Sequence, residues 1–166
     1  MGDTLEELVK HYKTENYFGF EPDTKNFEKL TETADRLKNN FGRAVLFPAG
    51  VGDKNEFLKF ESSNNSVSKI SQDGGEIIQV VRLDDVLKGY DNLMIKMDIE
   101  GAEIAALNGA KKIITETKPD LAISIYHKPS DLWKIPLLLK EWVPDYKFYM
   151  RNHSGFTVET VLYCHI

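Results

Sequence analysis

The stretch Leu93 to Gly101, Leu-Met-Ile-Lys-Met-Asp-Ile-Glu-Gly, constrains this chain more than any other. Leu93 to Met97 form an apolar run broken only by Lys96, and such a run reads as a parallel strand covered on both faces. The pattern then changes abruptly: Asp98 and Glu100 bracket Ile99, Gly101 follows, and Ala102 to Ala110 take helical spacing. A buried strand that ends in carboxylates and turns through glycine into a helix puts those carboxylates at the carboxyl edge of a sheet. In open α/β folds that edge is where ligands bind. The plainer reading is that Asp98 or Glu100 caps the following helix, although two acids closing one strand exceed what a cap needs.

The rest of the chain repeats this alternation. A helix is predicted from Thr4, with Leu5, Leu8, Val9 and Tyr12 at helical spacing. Tyr17 to Phe20 form an aromatic strand that Glu21-Pro22-Asp23 ends. Pro22 keeps Glu21 extended, so Glu21 is held at the strand's carboxyl end. Phe27, Leu30, Ala34 and Leu37 line one stripe of a helix over 24–40, and a strand follows at 43–47. In the loop 48–53, Gly50 and Gly52 would let backbone approach a ligand, the alternative for Gly52-Asp53 being an ordinary turn. Residues 56–60 and 67–70 alternate at period two and read as an antiparallel pair. A strand over 77–83 and a short helical piece lead into the central strand, whose following helix runs to about Thr117.

Leu121 to Tyr126 form another apolar strand, ending in His127-Lys128-Pro129. A histidine at the same sheet edge as Asp98 is the second chemical landmark, and its plainer reading is a histidine satisfied by a neighbouring carboxylate. Ser130 to Val143 read as an amphipathic helix in which Pro136 starts a second segment or makes a kink. Residues 146–150 and 157–165 are the last two strands, joined as a hairpin. The order predicts an α/β fold, a mainly parallel sheet with helices on both faces and a C-terminal antiparallel hairpin. It forms one domain over residues 1–166, with a β insertion at about 55–82.

Composition narrows the function classes. The net charge is -5 and no basic block is present, which argues against a dedicated nucleic-acid binder or an anionic-membrane binder. Cys164 is the single cysteine, so an internal disulfide and a cysteine-based zinc site are excluded. No targeting segment or membrane span is recognised, and a reduced, cytoplasmic protein is expected.

Together these motifs resemble the FkbM family of S-adenosylmethionine-dependent methyltransferases. The central signature is Ile95 to Glu103 followed by Leu107-Asn108-Gly109-Ala110. The same order and spacing hold for Gly2-Asp3-Thr4, Gly19-Phe20-Glu21-Pro22, Ala49 to Asp53, Leu83-Asp84-Asp85, Lys118-Pro119, Tyr126-His127 and Glu159 to Tyr163. The resemblance implies a Rossmann-like class I methyltransferase fold, S-adenosyl-L-methionine as cofactor, and methylation of oxygen on a sugar or other hydroxylated metabolite. It implies that Glu21, beside Pro22, reads the cofactor's ribose, as a carboxylate ending the second strand does in dinucleotide folds. Gly52 and Asp53 would lie near the adenine, Gly2 and Asp3 under the methionine part, and Asp98 at the methionine end and the acceptor. His127 is the candidate general base, because an imidazole with pKa near 6.5 can take a hydroxyl proton during attack on the methyl. Asp98 or Glu100 would orient that histidine or bind acceptor hydroxyls, and no metal is assigned.

The family's first strand and most of its glycine-rich loop would come before Gly2. That strand would sit between the Tyr17 and Leu93 strands, so two sheet edges would lack a partner. Three resolutions are expected: the two strands close on each other, another chain such as a second copy fills the slot, or the sequence is part of a longer protein, the last being favoured. Other function classes are a binding module without catalysis and a metal-dependent hydrolase using Asp98 and Glu100. A nicotinamide dehydrogenase would need a Gly-x-Gly-x-x-Gly turn that is absent. Trp133, Trp142, Tyr149 and His153 line an acceptor pocket or are simply core and surface aromatics.

Overall fold

The computed structural model describes residues 5–6, 9–10, 14–61, 69–70, 75–154 and 159–166, with backbone alone at 61, 69 and 70. The chain divides into two units, 1–50 with 56–80, and 51–55 with 81–166.

In the first unit, β1 (Thr14–Phe20) and β2 (Phe41–Phe47) are parallel, in register from Thr14↔Phe41 to Phe20↔Phe47. The rings of Phe20 and Phe47 close that register, stacked with centroids 4.8 Å apart. The connecting helix α1 (Thr24–Arg36) starts where Asp23 accepts the Asn26 N–H at 3.0 Å, which satisfies one of the four donors a helix start leaves open. It buries Leu30 and Ala34. It stops at Arg36 rather than Asn40, because Leu37 to Asn39 form a turn. Residues 5–6 and 9–10 are helical, Leu5 is fully buried, and Glu6 pairs with Arg36.

The same unit holds most of a second ladder, in the order β3 (Ala49–Val51), β6 (Glu76–Val81), β4 (Glu56–Glu61) and β5 (Lys69–Ile70). β4 is antiparallel to both β5 and β6, and Phe60, Ile78 and Val80 form its core with Leu58 against them. Part of the expected loop 48–53 is therefore strand, with Ala49 buried. The expected turn at 73–75 lies mostly outside the described residues.

In the second unit the order is β7 (Met94–Met97), β8 (Asp120–Ser124), β10 (Thr160–His165) and β9 (Lys147–Asn152). β7 and β8 are parallel, while β10 is antiparallel to both β8 and β9. The sheets are thus mixed rather than mainly parallel. Leu121 to Ser124 are all buried, whereas β7 alternates, burying Ile95 and Met97 and exposing Met94 and Lys96. The expected strand covered on both faces is covered on one. Among the described strands, β7 pairs with β8 alone and β1 with β2 alone.

The expected helix after Gly101 is two helices, α3 (Glu103–Gly109) and α4 (Lys111–Thr117). Two contacts explain the break. Gly109 packs so closely on the backbone of Gly52 that a Cβ there would sit 1.9 Å from the Gly52 carbonyl oxygen. The Asp84 carboxylate, at the start of α2 (Leu83–Val86), accepts the backbone N–H of Lys112 at 3.2 Å and of Ile113 at 3.0 Å. Those donors at the start of α4 therefore find a side chain from another element in place of their own helix's carbonyls. Asp84 is nearly buried and is also paired with Arg82 at 3.2 Å. Asp84→Ala is expected to cost roughly 2–3 kcal/mol, the lower part of the range for two donors stranded at about 1–3 kcal/mol each, since the Lys112 bond is only part-buried, read as a lower urea midpoint with an unchanged slope.

Helix α5 (Asp131–Trp142) runs continuously across Pro136, without the expected second segment. The buried Tyr146 donates its hydroxyl to the Pro119 carbonyl at 2.6 Å. Among the described residues, no helix is long and apolar enough to cross a membrane.

Candidate active site

The β7–α3 loop and the segment after β8 meet in the second unit and build one cluster. Beyond Met97 the chain reverses through Glu100 (φ 55) and Gly101 (φ 91). Glycine enters the left-handed region freely, whereas Glu100 does so at a cost of order 1 kcal/mol, and strain of that kind is found where a side chain must be presented in one direction. The reversal points Glu103, the first residue of α3, back into the loop, where its Oε1 accepts the Ile99 N–H at 3.0 Å.

From the other side, β8 delivers Tyr126 and His127. Tyr126 donates its hydroxyl to Asp98 Oδ1 at 3.1 Å, and its ring lies 4.1 Å from the imidazole, centroid to centroid. Burial, reinforced by the Asp98 carboxylate, pushes the phenol up to about 12. The His127 side chain is 9% exposed and has a carboxylate on each nitrogen. Nδ1 lies 2.9 Å from Glu103 Oε1, close enough for an ion pair but too bent for a regular hydrogen bond. Nε2 faces Asp98 Oδ1 and Glu100 Oε2, each at 3.5 Å. The side chains of Asp98 and Glu100 are 42% and 36% exposed, that of Glu103 is 0%. Nε2 is itself buried, and the groups it faces are the two part-exposed carboxylates.

Burial alone would lower the imidazole pKa, but the contact with Glu103 and the charges of Glu103, Glu100 and Asp98 outweigh it, and the net shift is upward. Glu103 moves the other way: burial would raise its pKa, but the His127 contact and the Ile99 N–H hold it below the ordinary value. Both shifts describe a buried imidazolium–carboxylate pair. A base raised in the folded state stabilises the fold fully below its unfolded pKa, and this contribution is lost as pH rises through the folded value. An acid lowered in the folded state contributes above its unfolded value and loses the contribution as pH falls. The pair thus supports the fold most between about pH 4.5 and 6.5, the ordinary values of the two groups, and less as pH climbs beyond. In a series of urea midpoints against pH, His127→Asn is expected to flatten the decline above pH 6.5.

Asp98, Glu100 and His127, predicted as the catalytic group, are thus brought together. Tyr126 and Glu103 join them without having been singled out as site residues. The sequence cue for Glu103 is an acid at the start of a helix, which looks like any other helix-start acid. Glu21 and Pro22 belong to the first unit, at the end of β1. Glu21 Oε1 accepts the Asp23 N–H at 2.9 Å, and burial raises the carboxyl's pKa. Gly52 is buried, its N–H donates to Val81 O at 3.0 Å, and its carbonyl seats Gly109, while Asp53 is exposed. The close backbone approach at Gly52 is thus made by helix α3. Gly2 and Asp3 lie outside the described residues. Trp133 and Tyr149 are exposed, Trp142 lies under the Lys111 ammonium, and His153 Nε2 is 2.9 Å from the Tyr163 hydroxyl. Among the described residues, no three His, Cys, Asp or Glu side chains are arranged to hold a metal ion.

The family model described as the Methyltransferase FkbM domain matches residues 3–152. The chain belongs to the FkbM methyltransferase family. As an FkbM chain it is similar to the hexuronic acid methyltransferase AglP of Haloferax volcanii, 29% identical over 100 residues, covering 57% of this chain and 41% of that protein. Its fold matches the crystal structure of methyltransferase FkbM from Methylobacillus flagellatus KT with a TM-score of 0.83 at 30% identity, over 99% of this chain and 40% of that one. The FkbM chain thus spans about two fifths of the length of both relatives.

Proposed function

We propose that this protein is an S-adenosylmethionine-dependent O-methyltransferase on a Rossmann-like class I scaffold, acting on a sugar or another small molecule rich in hydroxyls. The observation that carries the reading is His127, with Nε2 directed between two part-exposed carboxylates in a chain of a methyltransferase family. A hydroxyl is a weak nucleophile until its proton is taken, and an imidazole within reach is the side chain best suited to take it near neutral pH. Ionised Asp98 and Glu100 accept hydrogen bonds and donate none, so they suit an acceptor with several hydroxyl donors. AglP, named as a hexuronic acid methyltransferase, supports a sugar as acceptor.

Residues of each unit, taken separately, suit parts of the donor. Glu21 is fixed at the end of β1 by the Asp23 N–H, and an acceptor-only carboxylate suits the paired hydroxyls of a ribose. Asp53 offers an exposed carboxylate to the exocyclic amine of an adenine, and Asp98 would face the methionine end. The donor supplies an electrophilic methyl on a positively charged sulfur. The chain's own residues would orient and deprotonate: Asp98 and Glu100 would hold acceptor hydroxyls, and Nε2 of His127 would take the proton of the one that attacks the methyl as the sulfur leaves with the electron pair of its bond to that methyl.

The test is transfer of labelled methyl from S-adenosylmethionine to a panel of neutral sugars, uronic acids and polyols. Label on an acceptor oxygen is expected. Donor binding without transfer to any acceptor would favour a binding module, and hydrolysis of a phosphate or ester that depends on magnesium would favour the hydrolase reading.

A further inference from the structure

Glu103 carries a feature that a helix-start residue does not need. Its side chain is fully buried, Oε1 accepts the Ile99 N–H, and Oε2 is buried with no hydrogen-bond partner among the described residues. If Glu103 served only to tie down the Ile99 N–H, one oxygen would suffice, and a neutral glutamine would supply it without burying a charge. What the carboxylate adds is charge, and the group that receives it is His127 Nδ1, 2.9 Å away.

We propose that Glu103 is the positioning residue of the active site: it keeps the His127 proton on Nδ1 and so leaves Nε2 as the nitrogen that works on the acceptor. In a neutral imidazole one nitrogen carries the proton and the other is the base, and the partner of the first decides which is which. Nδ1 faces the buried, ionised Glu103, whereas Nε2, itself buried, faces the two part-exposed carboxylates of Asp98 and Glu100. One carboxylate also fixes both halves of the site, because the Ile99 N–H that it binds lies between Asp98 and Glu100 in the chain. This inference rests on His127 being the base.

The charged and titratable groups around the imidazole come from each packed segment. Asp98, Glu100 and Glu103 come from the β7–α3 turn, Tyr126 and Lys128 from the segment after β8, and Asp131 from the start of α5. The Lys128 ammonium is bonded to the Gly101 carbonyl, and Asp131, 1% exposed, has its carboxyl pKa raised, first by burial and in part by the charge of Glu103. Of the carboxylates, Glu103 is the one against Nδ1.

The experiment is nitrogen NMR of the His127 ring across a pH titration of the protein, with steady-state kinetics beside it. In the wild type the neutral ring is expected with its proton on Nδ1, and a neutral ring protonated on Nε2 would overturn the proposal without recourse to any variant. Glu103→Gln keeps the shape and the Ile99 bond. It is expected to lower the titration midpoint of His127, to shift the activity limb to lower pH by the same amount, and to reduce kcat roughly tenfold or more with KM little changed. A Glu103→Gln protein with reduced thermal stability but an unmoved midpoint and limb would assign Glu103 a structural role only. Glu103→Asp, which keeps the charge, is expected to hold the midpoint nearer to the wild type than Glu103→Gln does. If His127→Asn retains full activity, the base assignment itself fails, whatever Glu103 does.

Discussion

His127→Ala is expected to lower methyl transfer by at least about a hundredfold, the lower end of what a positioned general base contributes, while the affinity for the methyl donor stays near that of the wild type. The reason is local: Nε2 is the nitrogen between the part-exposed Asp98 and Glu100, whereas the donor's ribose is proposed to lie at Glu21. The substitution also removes the partner of a buried carboxylate, which costs stability in its own right. His127→Asn is the cleaner variant, because its amide can donate toward Glu103 while offering no basic nitrogen. Both are expected to lose transfer, with Asn retaining more of the melting temperature. The measurement is single-turnover transfer at saturating donor beside a thermal melt, and a His127→Asn protein that transfers at the wild-type rate would remove histidine from the chemistry.

The second large effect concerns the fold. Gly109→Ala would place a Cβ 1.9 Å from the Gly52 carbonyl oxygen, 2.9 Å from the Gly52 carbonyl carbon and 3.3 Å from Asp53 Cα. All three are backbone atoms, so no side chain can swing aside. The 51–55 segment or α3 must move, at a cost of roughly 3 kcal/mol or more, the upper part of the range for overpacking. That corresponds to a fall of about 6–12 °C in Tm for a chain of this size. Gly75→Ala is the control: no described residue lies within 4 Å of its added Cβ, and its Tm is expected to stay within about 1–2 °C of the wild type. Equal melting temperatures for Gly109→Ala and the wild type would mean that the loop yields to α3 easily.

The chemistry of the site was legible where it follows from strand ends. Asp98 closes one apolar run and His127 follows another, the two runs are parallel neighbours, and their carboxyl ends therefore share an edge. What was not legible depends on residues distant in sequence. The break at Ala110 is set by Asp84, 28 residues before Lys112, and by the carbonyl of Gly52, and no local pattern in Ala102 to Thr117 announces it. The cover on β7 was overestimated because Met94 is apolar by type yet 50% exposed. An apolar run shows what a strand tolerates on each face, and its neighbours decide what it meets. Glu103 was hidden for the opposite reason. A glutamate at the start of a helix is so ordinary that its burial against a histidine shows only in three dimensions.

Calorimetric titration of S-adenosylmethionine and S-adenosylhomocysteine into the protein and its Glu21→Ala variant decides whether this chain holds the methyl donor. Saturable binding of both by the wild type is expected, with at least about tenfold weaker binding by Glu21→Ala, the loss expected when charge-assisted hydrogen bonds to a ribose are removed. A folded wild-type protein that binds neither compound would contradict that expectation.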